Sequence, residues 1–230
     1  MNELAERIES VRHRIAEALH RAGREAEKVR LIAVTKTVPV ERIQEAIEYG
    51  VKDFGENRVQ EAEKKISYLP QEVCWHFIGH LQSNKVRKAV PLFDWIQSVD
   101  SVHLAERLNR TAAEAGRRIP VLIQVALDRE PTKHGIAPED LGELARALAS
   151  MPHLDVRGLM AIPPFFEDPQ KVRPYFRKLA ELLRDLNEQA IFSQPLTELS
   201  MGMSHDFEIA VEEGATMVRI GTAIFGERQR

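Results

Sequence analysis

Only one cysteine, Cys74, is present, so an internal disulfide and any cysteine-based zinc cluster are excluded, and the count suits a reducing compartment. Charge of neither sign dominates: 32 Lys+Arg stand against 35 Asp+Glu, a formal net charge of -3 with a pI near 6.3. There is thus no broad basic field, and nucleic acid is not an expected partner. No apolar run approaches the roughly 18 residues that a membrane-spanning helix needs. No G-x-G-x-x-G or Walker P-loop occurs, which leaves dinucleotide and Walker-type nucleotide binding without their usual supports. No Pro/Gly/Ser-rich linker, low-complexity tract or repeat marks a second domain, and the acidic, amphipathic opening Met1-Asn2-Glu3-Leu4 is unlike a signal peptide. The expectation is a cytoplasmic, water-soluble protein folded as one domain over residues 1–230, with no membrane partner.

What is present is an alternation. Leu4, Ile8, Val11, Ile15 and Leu19 recur at helical spacing, with Gly23 as a stop. Strand candidates follow at 31–35, 53–55, 74–78, 95–98, 121–125, 158–162, 198–201 and 217–220, most of them short apolar runs, with 53–55 and 198–201 carrying the weakest pattern. Helical patterns fall between them, near 40–49, 57–67, 83–89, 101–116, 138–150, 171–189 and 205–213, and Asp100 or Ser101 is a plausible N-cap for the fourth. Strands that are apolar throughout, each followed by a helix, imply a parallel sheet with covered faces. Eight such units in about 200–250 residues is the arithmetic of a (β/α)8 TIM barrel. A doubly wound open sheet is the competing arrangement, and periodicity does not separate the two.

In either arrangement ligands gather at the C-terminal ends of the strands. The first strand ends in Thr35-Lys36, where poor solvation favours the neutral amine that attacks an aldehyde. The alternative is a lysine that only reaches into water. Ser200-Met201-Gly202-Met203-Ser204 and Arg219-Ile220-Gly221-Thr222 follow the last two strands, where barrels commonly hold phosphate. Those residues also suit turns and caps. Asn57 after the second strand can donate to a ligand or cap the next helix, and His80 after the third can line the pocket. His76 and His80 lack a nearby third ligand for a metal site, Ser204-His205-Asp206 are neighbours and not a folded-back triad, and Cys74 opens an apolar strand as a buried, inert thiol.

Five ordered motifs then carry a resemblance: Ala33-Val34-Thr35-Lys36, Phe54-Gly55-Glu56-Asn57, Trp75-His76-Phe77-Ile78-Gly79-His80-Leu81-Gln82, Leu199-Ser200-Met201-Gly202-Met203-Ser204 and Arg219-Ile220-Gly221-Thr222. Together with Lys133-His134-Gly135 and Gly158-Leu159-Met160, they make the chain similar over nearly its whole length to the YggS/PROSC group of pyridoxal phosphate homeostasis proteins. The resemblance implies a single barrel like the N-terminal domain of alanine racemase, with an extra N-terminal helix, that binds pyridoxal 5'-phosphate (PLP) as a Schiff base on Lys36. It implies phosphate contacts from Ser200, Gly221, Thr222 and the backbone around Met201, with Arg219 facing the pyridine nitrogen, Asn57 close by, and His80 and Met160 as possible pocket lining. It implies a carrier or regulator of vitamin B6 and amino-acid pools, with PLP-dependent apo-enzymes as possible recipients, no established catalytic residue and no metal.

The residues agree with a carrier. PLP catalysis relies on a protonated pyridine nitrogen, which a cationic Arg219 disfavours. Alanine racemase tolerates an arginine there, but its second acid/base is a tyrosine from a partner subunit, and a further β domain helps build that dimer. Here Tyr49, Tyr68 and Tyr175 fall in or beside predicted helices, and only ten residues follow Ile220, so a monomer without the second base is expected. The alternative is a low-activity PLP-dependent racemase of fold type III. A cofactor-free barrel enzyme using Lys36 on a phosphosugar carbonyl is a third reading.

Overall fold

A computed structural model describes residues 2–128 and 134–227. After a first helix α1 (Glu3–Arg21), eight strands β1 (Arg30–Val34), β2 (Asp53–Glu56), β3 (Cys74–Phe77), β4 (Trp95–Val99), β5 (Ile119–Gln124), β6 (Leu154–Met160), β7 (Glu198–Ser200) and β8 (Met217–Ile220) pair in chain order. All the pairings are parallel, and β8 returns to β1 to close the barrel. Closure decides against the open sheet. Helices α2 (Val40–Glu48), α3 (Val59–Ile66), α4 (Val86–Leu92), α5 (Val102–Glu114), α6 (Leu141–Ala149), α7 (Arg173–Glu188) and α8 (Phe207–Glu212) follow the first seven strands, and a short α9 (Thr222–Phe225) follows the last.

Local chemistry explains the elements. Asn2 caps α1 by accepting from the Leu4 N–H, and of the two cap residues predicted for α5 it is Ser101 that accepts from Leu104. The face of α1 bearing Leu4, Ile8, Val11, Ile15 and Leu19 is buried, the packing that stabilises an amphipathic helix. Strand β6 begins at Leu154, four residues before the predicted start at 158. There Leu154 and Val156 alternate with Asp155 and Arg157, which pair at 2.8 Å, so the charges disguised a strand that is apolar on one face only. Alternation also fills the lumen. Ile32, Trp95, Leu122, Met160 and Met217 form an inner cluster distinct from the larger core beneath the helices.

Candidate functional site

The period of two that sends Ile32 inward also directs Val34 and then Lys36 toward the barrel mouth, and Lys36 lines a cavity there. Its backbone is held on both sides. The Thr35 N–H donates to the Gly55 carbonyl at 3.0 Å and the Thr35 hydroxyl donates to Glu56 Oε1 at 2.6 Å. Lys65 Nζ donates to the Thr35 carbonyl at 2.7 Å, to Glu56 Oε1 at 2.8 Å and to Glu61 Oε1 at 2.7 Å. Glu61 in turn accepts the N–H of Thr37, whose φ of 64° lies in the left-handed region. Burial raises the Glu56 pKa against the opposing pull of Lys65 and Thr35. For Glu61 burial also acts upward, but the hydrogen bonds from Lys65 and Thr37 outweigh it and the carboxyl ends below its usual range.

Beside β1 stands β8, with Ile32 in register with Arg219, so Lys36 and the residues after β8 share one wall although far apart in sequence. Arg219 is only 3% exposed, and its guanidinium donates to two neutral acceptors, Ser200 Oγ at 2.6 Å and the Ala161 carbonyl at 2.8 Å. Burial pulls its pKa down to about 10, with Asp206 opposing the fall. Ser204 Oγ accepts from the N–H groups of Gly221 and Ala223, each at 3.2 Å, so the turn after β8 aims two backbone donors at one small oxygen. Gly202 makes room behind this turn: its φ is 91°, and a Cβ there would meet Ala210 Cβ at 2.6 Å.

Lys36, Asn57, Arg219, Gly221 and Thr222 line one cavity of about 380 Å³, together with Val34, Ile78, Ile162, Met203, Ser204 and His205. Asn57 does not cap α3, whose cap position is Arg58 with no side-chain cap bond. Asn57 is crossed closely by the β3 exit, where a Cβ on Gly79 would lie 2.3 Å from the Asn57 carbonyl oxygen. Four sequence candidates stand away from the cavity wall. Ser200 is fully buried in the lumen, and its hydroxyl is occupied by Gln97 and Arg219. Met201, at the end of β7, is buried in the outer core, and Met160 belongs to the inner apolar cluster. His80 opens onto the neighbouring groove that also touches Asn57, and its ring stacks on His134 at 3.6 Å. Lys133 lies outside the described residues. Lys65 and Gln97 went unnoticed in the sequence as site residues, because each works through a contact between distant segments, and Ser204 was named only as part of the segment after β7. The Gly-x-Ser spacing after β7 was the one local signal for Ser204.

The donor set fits a planar, phosphorylated aldehyde. A lysine and a guanidinium that, among the described residues, no carboxylate touches within hydrogen-bond distance line one cavity, among apolar walls (Val34, Ile78, Ile162, Met203) suited to a ring and beside a Gly-Thr turn suited to an oxyanion. The cavity is within the roughly 300–1,000 Å³ usual for small-molecule sites. None of Tyr49, Tyr68 and Tyr175 lines it.

The closed parallel barrel is of the class of the alanine racemase N-terminal domain: the family model "Alanine racemase, N-terminal domain" matches residues 7–229. A pyridoxal phosphate homeostasis protein of Aquifex aeolicus is 47% identical over 225 residues, 97% of this chain and 98% of the relative. PipY of Synechococcus elongatus superposes with a TM-score of 0.88 without PLP (43% identity) and 0.85 with PLP bound (42% identity), in each case over 97% of this chain and 100% of PipY. The chain belongs, within that class, to the family of pyridoxal phosphate homeostasis proteins.

Proposed function

We propose that this chain binds pyridoxal 5'-phosphate at the β1–β8 seam, with Lys36 as its covalent anchor, and serves PLP homeostasis by holding and releasing the cofactor. The observation that carries the reading is the sharing of one cavity by Lys36, Arg219, Gly221 and Thr222. Bound PLP supplies an aldehyde that amines attack and a ring that withdraws electrons. The rest belongs to the chain. Lys36 presents the amine on a backbone clamped by Lys65, Glu56 and Glu61. Gly221, Thr222 and Ser204 form the oxyanion end, and Arg219 is the donor for the ring nitrogen. PLP-dependent apo-enzymes are the proposed recipients. No helix is long and apolar enough to cross a membrane among the described residues.

The test is an absorption spectrum with added PLP before and after borohydride, followed by peptide mapping. A visible band fixed onto Lys36 supports the reading, and Lys36→Ala abolishes the adduct while some cofactor is retained through the other contacts. Absence of a band, with Lys36 unmodified, overturns it. The family match to an alanine racemase domain favours a second reading, slow racemisation. It requires solvent deuterium to enter the α-carbon of an amino acid, and to stop doing so in Lys36→Ala.

A further inference from the structure

The lumen holds a line of polar side chains running from the N-terminal rim of the barrel to the cavity. Asp53 Oδ1 lies 2.9 Å from His76 Nε2, His76 Nδ1 lies 3.0 Å from Gln97 Nε2, Gln97 Oε1 lies 2.6 Å from Ser200 Oγ, and Ser200 Oγ lies 2.6 Å from Arg219 Nη1. His76, Gln97 and Ser200 are all 0% exposed, out of reach of bulk water, so each needs internal partners.

The direction of every bond follows from one end. A guanidinium only donates, so Ser200 Oγ accepts from Arg219 and turns its own hydrogen to Gln97 Oε1. The Gln97 amide nitrogen then faces His76 and donates to Nδ1, its other hydrogen being directed toward Met217 Sδ at 3.6 Å. Turning the amide around would aim two donors at Ser200 and leave the serine hydrogen without an acceptor. With Nδ1 an acceptor, the imidazole is neutral and carries its hydrogen on Nε2, which donates to Asp53. Cys74 Sγ stands 3.4 Å from the same nitrogen as a weak second contact. Asp53 is anchored at the rim by Arg30, whose Nη1 is 3.6 Å away. Four aligned bonds in a low-dielectric lumen polarise one another.

We propose that Asp53, His76, Gln97 and Ser200 form a one-way hydrogen-bond chain through the barrel that locks the Arg219 guanidinium in place at the cavity floor, with Asp53 as a positioning residue acting from the opposite rim. The lock is a property of the protein alone. Its effect on the cofactor rests on the PLP reading above.

Nitrogen-15 NMR of the cofactor-free protein is the test. His76 is expected as the neutral Nε2–H form, and Arg219 as a guanidinium with slowed rotation and separate Nη signals. Asp53→Leu, far from the cavity, should let the His76 hydrogen redistribute and merge the Arg219 signals, while Asp53→Asn, which keeps an acceptor oxygen, should behave as wild type. Gln97→Met should merge the Arg219 signals too, and with PLP bound should speed its release about tenfold, the order expected for one buried hydrogen bond. His76 protonated on Nδ1, or Arg219 signals unchanged in both Asp53→Leu and Gln97→Met, overturns the proposal. If the wild-type protein takes up no PLP, the function reading fails while the NMR result still decides the chain.

Discussion

Lys65 Nζ sits 2.7 Å from the carbonyl oxygen of Thr35, the residue immediately before Lys36. All three ammonium hydrogens of Lys65 have acceptors, and two of these acceptors belong to carboxylates that also hold the Thr35 hydroxyl and the Thr37 N–H. A cation on α3 thus fixes the backbone that carries the amine on β1. Lys65→Met strips a buried pair of its positive partner and is expected to cost about 3–5 kcal/mol in urea unfolding, because Glu56 is left buried without its cation. Adding Glu56→Gln should recover part of that loss. A single variant as stable as wild type would show that the cluster carries no such strain.

The oxyanion end makes a graded prediction. Thr222→Ala and Ser204→Ala should each weaken PLP retention about five- to tenfold, the usual order for one lost polar contact, while borohydride still fixes the cofactor to Lys36. Ser200→Ala should also weaken retention, but through a loosened Arg219, since Ser200 faces the lumen. Dialysis of the three PLP-loaded variants checks this, and unchanged retention in Thr222→Ala and Ser204→Ala would remove the phosphate assignment.

His76 sets a pH dependence of stability. Burial is the largest effect on it and disfavours the imidazolium, so its folded pKa lies below 6.5, with Asp53 opposing the fall. The unfolded chain therefore binds the proton more readily than the folded one. Stability from this residue is complete above about pH 6.5 and is lost as the pH falls toward and below the folded pKa, with a slope of at most about 1.4 kcal/mol per pH unit. Denaturant midpoints from pH 8 to 5 should fall more steeply for wild type than for His76→Asn. Parallel curves would count against it.

Burial likewise pushes the Cys74 thiol up to about 12, helped by Asp53 and Asp94. At pH 8 its thiolate is then about a thousandfold scarcer than that of an unperturbed thiol. A chromogenic disulfide reagent should react with the folded protein very slowly and with the urea-unfolded protein at the ordinary rate. Fast reaction of the native protein would contradict the assignment.

Most strands and the helices between them were legible in the sequence from their local period, whereas β2 and β7 are short and not apolar throughout. The four apolar residues before the β1 exit marked Lys36 as a candidate without deciding between a site lysine and one that only reaches into water. What alternates with charge, such as Asp155 and Arg157 at the start of β6, was harder to see. The conclusion that Lys36, Asn57, Gly221 and Thr222 belong together needed the family motifs, since no local pattern joins β1 to β8. Ser200 shows the limit most clearly. A serine after a strand reads as a ligand contact from spacing alone, yet strand parity turns it into the lumen, where Gln97 and Arg219 claim it. The supporting residues Lys65, Gln97 and His76 each depend on a neighbour across the sheet or from another helix, which one-dimensional patterns do not contain.

The pairing of β8 with β1 has a consequence for the order of events during synthesis. Lys36, the proposed anchor, emerges from the ribosome early, while the turn after β8 that shares its cavity comes late in the chain. On the proposed reading, a partly made chain has Lys36 but not the enclosure, and cofactor capture becomes a signal that translation has passed β8 and the ring of strands has shut. Bringing such distant segments together is a slow, late step in folding. Newly made protein should therefore acquire its yellow colour after most of its helical structure has formed.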